Sequence, residues 1–180
     1  MNDYALDSLS VMVINDNRFM RTVIANVLRA LEIKNVIECR DGEEALEELR
    51  NAPSDIVILD WDMREMPGLK LLQSIRSGKR GVNPLVPVIV VSANTIARNI
   101  LDARDAGMTE FLAKPVSATA IYARIVSIIE NPRRFVRTGS YFGPDRRRRF
   151  DPEYSGPKRR AEDQEPEEES LDDLDALRGA

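Results

Sequence analysis

The feature that most constrains this chain is a rhythm of short apolar runs and longer amphipathic ones, which holds to about Glu130 and then stops. Residues 11–14, 35–37, 56–59, 86–91 and 110–113 read as five strands. The runs at 56–59 and 86–91 are continuously apolar rather than alternating, the pattern of central strands covered on both faces. Helix-spaced stripes fill the gaps: Met20, Ile24, Val27, Leu28 and Leu31, then Ala45, Leu46 and Leu49, then Leu69, Leu72 and Ile75, and finally Ile121, Ile125 and Ile128. Residues 95–106 supply one more helix, with Gly107 as its stop. Strand followed by helix, five times over, predicts an α/β fold with a parallel sheet wrapped on both faces.

Sheets of this kind carry their sites outside the carboxyl ends of the strands. Polar residues collect at that edge here. The first strand runs into Asn15 and Asp16, the third into Asp60 and the fourth into Ser92, and the fifth is followed by Lys114 and Pro115. Phosphorylation of a carboxylate needs a nucleophilic Asp, a divalent cation and donors for the phosphoryl oxygens. Asp60 and Asp16 are hard-oxygen groups suited to Mg²⁺, Lys114 is a point positive charge, and Ser92 is a hydroxyl donor.

Taken singly, these residues have plainer readings. Asp16 precedes the first helix and could cap it, Ser92 could be a polar strand terminus, Phe111 a core aromatic, and Lys114-Pro115 an ordinary turn. Trp61 and Cys39 read as structural. Other chemistries are narrowed by composition. There is no His, and a single Cys, so zinc sites, His-based catalysis and an internal disulfide are excluded. A Gly-rich loop is missing after the first strand, where Asn15-Asp16-Asn17-Arg18 stands instead. That disfavours a nucleotide- or flavin-binding enzyme on the same architecture.

Five pieces in order, Val13-Ile14-Asn15-Asp16, Leu59-Asp60-Trp61-Asp62-Met63, Met66-Pro67-Gly68, Val91-Ser92-Ala93 and Phe111-Leu112-Ala113-Lys114-Pro115, resemble the response-regulator receiver family over residues 10–130. The resemblance implies a flavodoxin-like, doubly wound (βα)5 sheet. It implies that Asp60 is the phosphoacceptor, that Lys114 pairs with the phosphoryl group, and that Mg²⁺ is bound by Asp16, Asp60 and the backbone carbonyl of Asp62. Ser92 and Phe111 would form the switch, reported through the face spanning residues 95–130. Such a domain catalyses only its own phosphorylation and dephosphorylation. Its partners would be a histidine kinase or histidine phosphotransfer protein and a downstream protein target.

Two residues depart from the family pattern. Asn15 stands where an acidic residue is usual, leaving it as a weak or water-mediated metal contact. Arg64 stands where Pro is usual. Asp62 adds a carboxylate near the pocket that could replace the missing charge or repel an incoming phosphate. A phosphorylation-independent pseudo-receiver scaffold with a weakened metal site is therefore the alternative to a phosphorylated single-domain regulator.

Residues 1–9 read as an N-terminal extension, acidic and unlike a signal peptide, and no apolar run approaches a membrane span. A cytoplasmic location follows as the expectation. Residues 131–180 read as a largely disordered tail, Arg-rich and then acidic. Residues 133–160 hold ten basic and three acidic side chains, a local charge of +7, and residues 161–180 hold one against nine, a charge of −8. No helix-turn-helix spacing, Gly-rich phosphate loop or repeat appears there, and the acidic run competes with nucleic acid for the arginines. Docking of the Arg-rich segment on a partner or on the domain's own acidic surface is the favoured reading. Oligomeric state is left open.

Overall fold

The computed structural model of the chain describes residues 6–78, 81–139 and 141–146. A short 3₁₀ turn, Leu6–Ser8, leads into β1 (Ser10–Ile14), α1 (Arg18–Ala30), β2 (Asn35–Cys39), α2 (Gly42–Asn51), β3 (Ile56–Asp60) and α3 (Gly68–Arg76). These are followed by β4 (Val88–Ser92), α4 (Ala97–Asp105), β5 (Glu110–Ala113) and α5 (Ala118–Glu130). The sheet order is β2-β1-β3-β4-β5, all neighbours parallel. This is the parallel sheet that the alternating pattern predicts, in the flavodoxin-like (βα)5 order that the family resemblance implies.

Pleating divides the core in two, because successive side chains of a strand point to opposite faces. Val11, Val13, Ile56, Ile58, Ile89 and Val91 pack with Ile24 and Leu28 of α1 and Ile121 and Ile125 of α5. Met12, Ile14, Val57, Leu59, Val88 and Val90 pack with Leu46 and Leu49 of α2, Leu71 and Ile75 of α3, and Ala103 of α4. Every residue of β1, β3 and β4 is buried, which is why those runs are continuously apolar. The outer strands carry charge instead, Glu38 on β2 and Glu110 on β5, as suits sheet edges.

Most boundaries fall within two residues of the periodicity, and two of the differences have a plain physical cause. β4 begins at Val88 rather than at residue 86, since the Val86 carbonyl accepts from Arg76 and Pro87 has no N–H to offer a ladder. α4 begins at Ala97 rather than at residue 95, because the Asn94 side chain accepts from the Ile96 N–H and holds a turn ahead of the helix.

The larger difference lies past Glu130. The described residues there are ordered into a hairpin, β6 (Phe135–Arg137) pairing antiparallel with β7 (Phe142–Pro144), Val136 opposite Gly143. It has no amphipathic period of its own. It docks at the amino ends of β4 and β5 through arginine and aromatic contacts, a pattern that hydrophobic spacing does not reveal. The remainder of the Arg-rich run and the acidic run fall in residues 147–180, outside the described residues.

Candidate functional site

Strand register assembles the carboxyl edge. Ile14 pairs with Leu59, Asp60 with Val91, and Ser92 with Ala113. The strand ends are therefore level to within a residue, and Asn15, Asp60, Ser92 and Lys114 meet there. Asp60 is buried, its side chain 5% exposed, and the Lys114 ammonium donates to both its oxygens, at 2.8 Å to Oδ1 and 2.9 Å to Oδ2. The Asp62 N–H also donates to Asp60 Oδ1, at 3.1 Å. Lys114 is placed by its own backbone N–H, which donates to the Ser92 carbonyl, and precedes a cis bond to Pro115.

The loop after Asp60 folds back tightly. The Gly68 N–H donates to the Trp61 carbonyl, and a Cβ on Gly68 would lie 2.7 Å from Trp61 Cα and 2.9 Å from the Asp60 carbonyl oxygen. Only glycine fits that approach. The turn brings Arg64 to Asp16: its backbone N–H and its Nε both donate to Asp16 Oδ2, each at 3.2 Å. Burial pushes the Asp16 carboxyl upward, but the Arg64 hydrogen bonds and charge outweigh it and hold the group below its ordinary value. Asp16 does not cap α1. Asn17 does, accepting from the Met20 N–H, which leaves the Asp16 carboxylate turned to the pocket.

Asn15 is 1% exposed. Its Oδ1 accepts from the Asn17 N–H at 2.8 Å, while its Nδ2 is buried without a hydrogen-bond partner. The amide thus spends its oxygen on the backbone and leaves a donor unmatched, a costly arrangement in a buried site. The open cavity beside Asp16, about 510 Å³, is lined by Arg40, Asp41, Gly42, Met63, Arg64, Glu65 and Met66.

The Asp62 carboxylate is engaged by the end of β4. Its Oδ2 accepts from the Ser92 hydroxyl at 3.0 Å and from the Ala93 N–H at 3.2 Å. The Ser92 oxygen in turn accepts from the Asn94 N–H at 3.0 Å. Asp62 is therefore the anchor of the β4 terminus, a role that its position two residues past Asp60 hints at only through proximity. Phe111, on β5, is half-buried and packs against the core on the α4 side.

Residues 11–126 match the family model described as the response regulator receiver domain. The chain belongs to that family. The chemotaxis protein CheY of Pseudomonas aeruginosa is 32% identical over 122 residues, 68% of this chain and 97% of that protein. CheY-3 of Vibrio cholerae is 30% identical over 123 residues, 68% of this chain and 93% of the relative. Among solved structures, the receiver domain of the histidine kinase CKI1 from Arabidopsis thaliana, complexed with Mg²⁺ and BeF3⁻, is 26% identical. Its TM-score is 0.59, over 67% of this chain and 92% of that one. Vibrio cholerae CheY4, at 21% identity and a TM-score of 0.62 over 67% of this chain and 98% of that one, shares the fold.

Receiver domains are signalling domains of two-component systems, and the β1, β3, β4 and β5 termini described above are this receiver's carboxyl edge. Among the described residues no helix is long and apolar enough to cross a membrane, and no three His, Cys, Asp or Glu side chains gather closely enough to hold a metal. The hairpin of β6 and β7 lies beyond the matched residues.

Proposed function

We propose that this receiver takes a phosphoryl group on Asp60 from a histidine kinase or histidine phosphotransfer protein and signals by protein contact. The observation that carries this reading is the bidentate Asp60–Lys114 pair at a buried strand terminus. Isolating a carboxylate from water against one exchangeable ammonium is costly, and costs of this kind are concentrated at functional sites. An Asp60 oxygen would attack the phosphorus of a phosphohistidine, the new O–P bond forming as the N–P bond breaks and the imidazole departs. Lys114 would then turn to a phosphoryl oxygen, and Ser92 would leave Asp62 to donate to another.

The donor set fits a weakly held hard cation. Asp16 and Asp60 offer carboxylate oxygens at adjoining strand ends, and the Asp62 backbone carbonyl completes the protein's share. Mg²⁺ there offsets phosphoryl charge. Asn15, its oxygen engaged by Asn17, would contribute through water, and Arg64 must release Asp16.

The face of α4, β5 and α5 is the expected contact surface. Ile96 is 65% exposed and Leu101 44%, large apolar groups that water covers poorly. A cytoplasmic location agrees with this role.

A second reading, a phosphorylation-independent pseudo-receiver, is favoured by the unmatched Asn15 amide and the Arg64 hold on Asp16. Incubation with acetyl phosphate and Mg²⁺ followed by intact-mass measurement separates the two. The switch reading expects a phosphoryl adduct that Asp60→Asn abolishes. No adduct on the wild-type chain would sink it and leave the scaffold.

A further inference from the structure

The β6–β7 hairpin is held by a small set of contacts. The Tyr141 ring folds beneath Gly143 and its hydroxyl donates to the Pro144 carbonyl at 2.7 Å. Arg146 lies over that ring, 4.0 Å from its centroid, and reaches Asp105 at the end of α4, 3.4 Å away. Gly143 sits on Gly107, where an added Cβ would come within 2.8 Å of Gly107 Cα and 2.6 Å of the Tyr141 hydroxyl. Gly107 itself, at φ +93, can carry no side chain without strain. The base of the domain therefore presents a seat made of a bare glycine and an acidic helix end, filled by Tyr-x-Gly-Pro-x-Arg.

Those contacts pick out a repeat in the tail, which corrects the expectation that it has none. Residues 141–147 read Tyr-Phe-Gly-Pro-Asp-Arg-Arg, and residues 154–160, thirteen positions on, read Tyr-Ser-Gly-Pro-Lys-Arg-Arg. The identical positions carry the glycine that sits on Gly107, the arginine that reaches Asp105, and the ring and proline that bond to each other beneath them; Phe142 also meets Gly107, but through its backbone carbonyl, which any residue supplies. At the two positions that differ, the Phe142 side chain and the Asp145 backbone face the hairpin instead. Phe142, where the second copy has Ser155, stacks at 5.8 Å on Phe135 and lies under Arg137. Asp145, where the second copy has Lys158, gives its backbone N–H to the Arg134 carbonyl and its carbonyl to Arg133.

We propose that residues 154–159 are a second ligand for the Gly107–Asp105 seat of their own chain, exchanging with residues 141–146. Chain length permits it, since each added extended residue reaches about 3.3 Å or more. Tethering holds the second copy at a high effective concentration. Exchange is asymmetric: the first copy keeps the β6 ladder and the Phe135 ring, so it is the resident. When the second copy takes the seat, Arg146 leaves Asp105.

Hydrogen exchange on the full chain tests this, read at residues 105–109 with β1 and β3 as internal controls. Gly143→Val cannot seat the first copy, and Gly156→Val disables the second. Gly156→Val alone is expected to leave protection unchanged. Gly143→Val should lower it by about tenfold, and the double variant by about a hundredfold, with the controls unaltered. Arg146→Ala and Arg159→Ala, alone and together, repeat the comparison without added bulk. Equal loss in Gly143→Val and the double variant overturns the proposal, as does protection that survives in the double variant. Protection of Gly143→Val that rises with protein concentration places the occupant on another molecule and overturns the same-chain assignment.

Discussion

The two edges of the sheet use arginine and lysine to opposite ends. At the carboxyl edge, Lys114 and Arg64 hold carboxylates from partly or largely exposed positions, side chains 21% and 88% exposed, with water ready to replace them. At the amino edge, Arg76 at the end of α3 is buried, 6% exposed, and donates to the carbonyls of Gly107, Pro84 and Val86 at 2.7–2.8 Å. The Phe135 ring of the hairpin covers it at 5.1 Å. Burial pushes its guanidinium down to about 9, so it stays charged at neutral pH. The lesson is one of exchangeability: a cation meant to change partners is left near water, and one meant to fix loops is pinned by backbone carbonyls.

The hardest blow to that contrast is Arg76→Leu against Arg64→Leu. Removing Arg76 strands three carbonyls beneath the hairpin, and urea denaturation should show a loss of about 3 kcal/mol. Arg64→Leu removes an exposed pair and should cost less than about 0.5 kcal/mol. Equal losses would mean that the carboxyl-edge arginine is structural and the contrast is mistaken.

Asn15→Asp sharpens the same comparison within the carboxyl edge. A carboxylate added among Asp16 and Asp60 strengthens Coulombic attraction to a divalent cation, and an isothermal titration with Mg²⁺ should show about tenfold tighter binding than wild type. The Asn15 Oδ1 already accepts from the Asn17 N–H, which weakens it as a cation ligand and points the same way. Tighter binding by the wild-type chain would refute this.

A smaller effect is expected from Asp62→Ala. The Ser92 hydroxyl is held by Asp62 Oδ2, and moving it to a phosphoryl oxygen breaks that bond. A net hydrogen bond is worth about 1 kcal/mol. The steady-state fraction phosphorylated at limiting acetyl phosphate should therefore rise, the ratio of modified to unmodified chain by about fivefold. A fall would show that Asp62 assists the phosphorylated form instead.

These contrasts mark where sequence was informative. The sheet was legible because buried parallel strands leave continuous apolar runs, and the edge residues were legible because register follows from those runs. Which acceptor Asp62 chooses was not, since a side chain two residues past a strand end can turn either way. The cap on α1 went to Asn17 rather than Asp16 because the helix begins at Arg18, one residue later than capping by Asp16 requires, and the Asp16 carboxylate accepts instead from Arg64, forty-eight residues away. The hairpin was invisible for a similar reason. Its stability depends on Arg76, Gly107 and Thr109, whose carbonyl accepts from Arg133, and local spacing says nothing about them.

Cys39 offers the last and smallest refinement, because it shows that the carboxyl edge is not exchangeable throughout. It ends β2, is fully buried, and its carbonyl accepts from the Asn15 N–H at 3.1 Å. Burial first, then the nearby charges of Glu44, Glu48 and Asp41, push its thiol up to about 12 from an ordinary value of 9.0. The folded chain thus keeps the proton longer than the unfolded one. Stability from this group is whole below about pH 9 and declines as the pH rises toward 12, because the unfolded chain gives up its proton first. Cys39→Ala should flatten that alkaline decline relative to wild type, and a disulfide reagent at pH 8.5 should modify the native thiol only at the rate of opening. Prompt modification of the folded chain would place Cys39 with Lys114 and Arg64, among the groups free to change partners.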